Sequence, residues 1–269
     1  MIWDDIAGDY LALVEDREKI ILPALITALE QTGTTTVVDV GGGDGRFLEL
    51  LCQHFASKSF SALGLTDPST QMRARARERL ASVGPVEIKS SPSDLPQNSW
   101  QLVLFVAVWM NLKTEVQCVS VLREIRSLLM HQGRLVAAVT HPCFRDRPFH
   151  SYSTSFNMSH YLDAERQFKV SLYDGVRTLE ISNSHWSLSD HARQLSAAGF
   201  LIESLVELPD VDDKSEGAPW LLIVAKPRPT MDAAELRPEP NPLRIVPQYN
   251  ARSRIDLVSQ PGGKTDGGL

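Results

Sequence analysis

Thr36-Val37-Val38-Asp39-Val40-Gly41-Gly42-Gly43-Asp44-Gly45-Arg46-Phe47 is the stretch that decides the fold. Val37, Val38 and Val40 read as a short buried strand, Gly41, Gly43 and Gly45 permit a tight turn that approaches a ligand closely, and Arg46 to Leu51 opens a helix. Strand, glycine turn and helix N-terminus make a pocket of nucleotide size. The spacing is D-x-G-x-G-x-G, with the acid two residues before the first glycine, and so differs from the G-x-G-x-x-G of dinucleotide-binding turns.

Outward from this motif the chain alternates strands and helices. Phe60 to Thr66 reads as a second strand ending at Asp67, an acid placed to accept hydrogen bonds from ribose hydroxyls or to cap the next helix, and both roles can coexist. A helix over about Thr70 to Ser82 carries Met72, Ala76 and Leu80 at helical spacing. Pro85 to Lys89 is a brief third strand, and Ser90 to Pro96 a polar turn that could border a base. Leu102 to Val108 is continuously apolar, as in a central strand covered on both faces. A helix over about Glu115 to Met130 closes at His131-Gln132-Gly133, and Arg134 to Thr140 forms the next central strand. Upstream, residues 1–31 read as two helical pieces broken near Pro23. There Tyr10 either anchors the leading helix or closes over a bound cofactor.

The rhythm stops between His141 and Trp186, a segment too long and too aromatic for an ordinary connector, of the kind that walls a pocket. Ser187 to Ala198 then caps and forms a helix closed by Gly199. Leu201 to Glu207 and Trp220 to Lys226 follow as an antiparallel hairpin. The expected organisation is a domain over residues 1–228, with an insertion at about 141–186, and a Pro-rich disordered tail over 229–269.

Composition narrows the function classes. The chain has 269 residues, 43% of them hydrophobic, and a net charge of −6, which suits a globular domain and disfavours a broad nucleic-acid or anionic-membrane footprint. No apolar run reaches the length of a membrane span. Cys52, Cys118 and Cys143 are widely spaced and odd in number, so free thiols and a cytoplasmic setting are expected, without a metal site.

The ordered landmarks resemble the class I S-adenosylmethionine-dependent methyltransferases of the small-molecule type, from about Trp3 to Lys226. They are Val38 to Gly45, Gly64 to Ser69 with Met72, Asp94-Leu95-Pro96, the turn at Leu128 to Leu135, and Ala198-Gly199-Phe200. The resemblance implies a Rossmann-like, doubly wound α/β fold with a seven-stranded sheet, its last strand antiparallel, and a substrate cap after the fifth strand. It implies S-adenosyl-L-methionine as cofactor. Asp39, Gly41 and Gly43 would face its methionine part, Asp67 its ribose, and Ser91, Ser93, Asp94 and Leu95 its adenine, with Tyr10, Pro68, Met72 and Phe105 as further contacts. Ser91 stands where such families often carry an acid for the adenine amino group, and Gln101 replaces a frequent acid before the central strand.

Methyl transfer from a sulfonium needs alignment of the nucleophile, exclusion of water and sometimes loss of a proton. His141 and His185 flank the insertion and are the candidates for acid–base or orienting roles, or else they bond loop backbone. The expected activity is methyl transfer to an N or O nucleophile of a small molecule, carbon being the lesser option, by a monomer or homodimer without nucleic-acid or membrane partners. The alternative is a catalytically inactive scaffold of the same fold that binds cofactor or a protein.

Overall fold

The computed structural model describes residues 2–11, 13, 15–55, 60–150, 152–174, 176–210 and 217–229. The expected Pro-rich tail lies outside the described residues, apart from Pro229. Strand β1 (Thr36–Val40) is flanked by β2 (Ala62–Thr66) and β4 (Trp100–Val106), both parallel to it. With β3 (Glu87–Lys89), β5 (Leu129–Thr140), β9 (Phe200–Leu208) and β10 (Trp220–Pro227) they form a seven-stranded sheet in the order β3-β2-β1-β4-β5-β10-β9. β10 runs antiparallel to both β5 and β9.

The strand order reverses between β1 and β4. Right-handed crossovers therefore send α3 (Arg46–His54) and α4 (Thr70–Leu80) to one face and α5 (Glu115–Leu128) to the other. α2 (Glu15–Thr32) packs beside α3, while α6 (Leu188–Ala197) packs on α5 and β9. Between these layers Val37, Val38 and Leu102 to Phe105 are wholly buried, as the apolar runs require.

Two boundaries differ from the sequence reading. Helix α2 runs through Pro23, and the break comes after α1 (Ile2–Leu11), at Leu13. Pro23 is exposed, whereas Ile21, Leu25 and Leu29 are fully buried at helical spacing; the bond that proline cannot make is lost on the solvent side, and packing holds the helix together. Helix α5 stops at Leu128, two residues early, and Gly133 lies inside β5 instead of closing a helix. Pairing with β4 captures Leu129 opposite Trp100, and the register then jumps to Leu102 opposite Arg134. In that irregular stretch a Cβ on Gly133 would come within 2.9 Å of the Trp100 carbonyl oxygen, so the glycine serves a close backbone approach.

The insertion has structure of its own. β6 (Tyr152–Thr154), β7 (Gln167–Tyr173) and β8 (Thr178–Ser184) form a three-stranded antiparallel sheet. It is backed by a separate apolar cluster of Phe149, Tyr152, Phe156, Phe168 and Val170. No described helix is long and apolar enough to cross a membrane.

Candidate functional site

A cavity of about 310 Å³ opens at the carboxyl ends of β1, β2 and β4, where a doubly wound sheet has its switch point, and its size falls in the small-molecule range of roughly 300–1,000 Å³. Asp39, Gly41, Gly43, Asp67, Pro68, Met72 and Tyr10 line it, as do Arg17, Val108 and Asn111, which the sequence reading did not single out.

The glycine turn is held by backbone bonds. The amides of Gly41 and Gly42 both donate to the Thr66 carbonyl, at 2.7 and 3.1 Å. Gly41 has φ 72°, and a Cβ there would meet Val108 Cγ2 at 2.4 Å, so both conformation and space exclude a side chain. The Asp67 carboxylate accepts from the Gly43 amide at 3.0 Å and from the Ser69 amide at 2.8 Å. Ser69 caps α4 by accepting from the Met72 amide, so Asp67 braces the turn and the cap together. Burial nevertheless raises its pKa, against those two amide bonds and the charge of Arg73.

Asp39 is the electrostatic centre. It is 1% exposed, and neither carboxylate oxygen has a hydrogen-bond partner. Burial pushes its pKa up to about 7, repulsion from Asp67 adds to this, and Arg17 opposes it. A buried acid without partners is costly, and its place in the cavity lining suits a positive group.

Arg17 projects from α2 to the same region. Its Nη1 donates to the Tyr10 hydroxyl at 2.6 Å, its guanidinium lies over the rings of Tyr10 and Phe47, and its Nε is buried without a partner. Tyr10 packs edge-on against Trp3 at 5.0 Å, and both rings line the cavity. At the end of β4 the strand stops at Val106, earlier than the apolar run suggested. Ala107 takes a left-handed φ of 58°, and its carbonyl accepts from Asn111 Nδ2. Such backbone strain concentrates at functional sites.

A second cavity of about 50 Å³ adjoins the first and shares Tyr10, Arg17, Ala107 and Asn111 with it. Its far wall comes from the insertion, through Tyr152, Val170, Leu172, Ile181 and Asn183.

Other residues singled out from sequence stand elsewhere. Ser91 and Asp94 form a capping box around a short turn, Ser93 bonds Ser91, and Leu95 is buried in the core. None of these four lines either cavity. Phe105 is fully buried against Trp109 and does not reach the cavity either. His141 caps a turn, its Nδ1 accepting from the Cys143 amide and its Nε2 donating to Glu207 at 3.2 Å. His185 is fully buried and stacked on Phe156, its Nε2 donates to the Tyr161 carbonyl at 2.8 Å, and burial lowers its pKa to about 4. Both imidazoles bond local structure and line neither cavity, as in the backbone-bonding alternative of the sequence reading, and His185 Nδ1 is buried without a partner. Gln101, by contrast, ties strand starts together by accepting from the amides of Thr35 and Thr36.

Arg17 carried no sequence signal because it sits among charged residues on an N-terminal helix. A lone Asn183 on a polar strand is equally silent. No group of three or more potential metal ligands occurs among the described residues.

A methyltransferase-domain family model matches residues 38–135. Among solved structures, the chain is similar to an S-adenosylmethionine-dependent methyltransferase from Clostridium acetobutylicum ATCC 824, at 14% identity over 85% of this chain and 97% of that one, with a TM-score of 0.59. It is also similar to an S-adenosylmethionine-dependent methyltransferase from Mesorhizobium loti, at 21% identity over 76% of this chain and 96% of that one, with a TM-score of 0.55. A complex of DhpI with SAH matches at 15% identity over 85% of this chain and 95% of that one, with a TM-score of 0.54. At these identities the likeness is one of fold. No curated protein matches the chain in sequence.

Proposed function

We propose that the chain is a class I, S-adenosylmethionine-dependent methyltransferase that methylates an oxygen or nitrogen of a small molecule, a reading supported by the methyltransferase-domain match over residues 38–135 and by the likeness of fold. The observation that supports this most is the pair of adjoining cavities. One has the volume of a cofactor site, the other is much smaller and walled on one side by the insertion, and both share the wall of Tyr10, Arg17, Ala107 and Asn111.

The residues of the larger cavity fit the cofactor. Asp39, unpaired and buried, meets the need of a cationic ligand for a counter-charge, and the glycine turn from Gly41 to Gly43 lines the same cavity. S-adenosylmethionine supplies, when bound, a methyl carbon made electrophilic by a positively charged sulfur. In this reading Asp39 holds positive charge, Asp67 offers its carboxylate to hydroxyls beside the glycine turn, and Pro68 and Met72 contact the base. Tyr10 and Trp3 keep water out of the cavity. The acceptor is aligned by the walls of the smaller cavity, and alignment together with dryness supplies most of the rate enhancement such a transfer needs. His141 and His185 act at a distance, by holding the insertion in shape.

Titration calorimetry with S-adenosylmethionine tests the donor assignment. Binding should be clear in the wild-type protein and collapse in Asp39→Ala and in Asp67→Ala, and undiminished affinity in both variants would overturn it. Release of S-adenosylhomocysteine across a panel of phenols, alcohols and amines tests the acceptor class, which turnover on oligonucleotides alone would refute.

A further inference from the structure

The smaller cavity, about 50 Å³, has room for roughly three to five water molecules, which is the bulk of a single ring. Leu13, Met110, Val170, Leu172, Ile181 and Trp220 give it a largely apolar lining. Of the polar residues in the lining, Tyr10, Asn111, Thr140 and Tyr152 each make a hydrogen bond within the protein, whereas Asn183 and Arg17 each carry an atom without one. Asn183, carried on β8 of the insertion, is 3% exposed and its Oδ1 has no hydrogen-bond partner. Arg17, reaching in from α2, has a buried Nε without a partner. Asn183 and Arg17 both line this cavity, and their unpaired acceptor and donor atoms have each lost hydration that a ligand bearing both functions would restore.

We propose that this cavity binds a neutral, ring-sized hydroxyl compound of the phenol class, whose hydroxyl donates to Asn183 Oδ1 and accepts from Arg17 Nε–H. A hydroxyl is the simple group that both donates and accepts. A carboxylate accepts only, which would leave Asn183 Oδ1 unpaired. An ammonium donates only and meets the guanidinium charge. The apolar ring then lies against the aliphatic wall from the insertion. Asn183 is thus a specificity-determining residue for the acceptor. The proposal rests on the reading that the larger cavity holds the methyl donor, since it places the hydroxyl beside the wall that both cavities share.

The test is calorimetric binding of p-cresol, toluene, 4-methylbenzoate and 4-methylbenzylamine to the full chain saturated with S-adenosylhomocysteine. In the wild-type protein p-cresol should bind about tenfold more tightly than each of the other three, the discrimination expected of a site whose polar groups go unpaired with the wrong ligand. In Asn183→Leu the advantage of p-cresol over toluene should fall below about threefold while toluene binds at least as well as before. Should that variant fail to bind S-adenosylhomocysteine, the smaller change Asn183→Thr carries the same comparison. Equal binding of p-cresol and toluene in the wild-type protein, or tighter binding of the acid or the amine, overturns the proposal. If S-adenosylhomocysteine does not bind the wild-type protein while free protein still prefers p-cresol, the donor assignment falls and the hydroxyl site stands.

Discussion

Asp39→Asn isolates the electrostatics of the glycine turn. The wild-type carboxyl is pushed up to about 7, whereas its ordinary value, and that in the unfolded chain, is near 3.8. Between those values the folded protein holds a proton that the unfolded chain has lost. Stability contributed by this group is therefore complete below pH 3.8, is lost as the pH rises towards 7, and is level above that. About two pH units of the window lie between pH 5 and pH 7, and at about 1.4 kcal/mol each the loss between pH 5 and pH 8 is about 3 kcal/mol. Asparagine does not titrate. The stability of the variant relative to wild type should therefore rise by about 3 kcal/mol from pH 5 to pH 8, whatever fixed penalty the buried carboxamide carries. Subtracting wild type also removes every slope the two proteins share. Urea unfolding followed by Trp fluorescence at both pH values measures the quantity. A relative gain below about 1 kcal/mol would refute the argument that burial, unrelieved by any hydrogen bond, governs this carboxyl. The same substitution should weaken S-adenosylmethionine binding at pH 8, because the counter-charge is gone, so stability and affinity should move in opposite directions.

Other expectations follow from single contacts. Gly41→Ala places a Cβ 2.4 Å from Val108 Cγ2 at a φ of 72°, and the combined strain and overpacking should cost about 2–4 kcal/mol in urea unfolding. An unchanged midpoint would mean that the turn relaxes freely. Trp109→Phe removes the 2.7 Å bond to Gln194 Oε1, which is wholly buried, and should cost about 1–3 kcal/mol, more than the lost ring area alone. A cost under about 0.5 kcal/mol would show that another donor takes over. His185 and His191 are both held near pKa 4 by burial. Their contribution is complete above pH 6.5 and is lost as the pH falls towards 4. In the Asp39→Asn background, where the larger of the two opposing carboxyl slopes is absent and only that of Asp67 remains, the urea midpoint should drop from pH 6.5 to pH 4, and a flat profile would contradict the assignment.

The fold was legible because its signals are local and repeated. The valines of β1, the glycines after them and the apolar run of β4 each state a strand, a turn or a buried position in a window of a few residues. The errors fall where tertiary contact overrode local preference. Pro23 reads as a break, yet Ile21, Leu25 and Leu29 bury the helix through it. Gly133 reads as a helix stop, yet pairing of Leu129 with Trp100 draws the chain into β5 before the glycine arrives. His141 and His185 stood out by residue type and position, but whether an imidazole faces a cavity or a backbone carbonyl depends on how the insertion folds back, which residue type does not encode.

The residues alone determined the glycine turn, the two acids Asp39 and Asp67 beside it, and the presence of an aromatic insertion, since each follows from composition and spacing within a short stretch. Only the tertiary structure decided what faces what. It left Asp39 without a partner, brought Arg17 from an unremarked helix towards it, turned Ser91 to Leu95 and Phe105 away, and set Asn183 in the wall of the smaller cavity. These pairings join residues up to 166 positions apart, as between Arg17 and Asn183. They arise from the burial of many other side chains, so no local pattern records them.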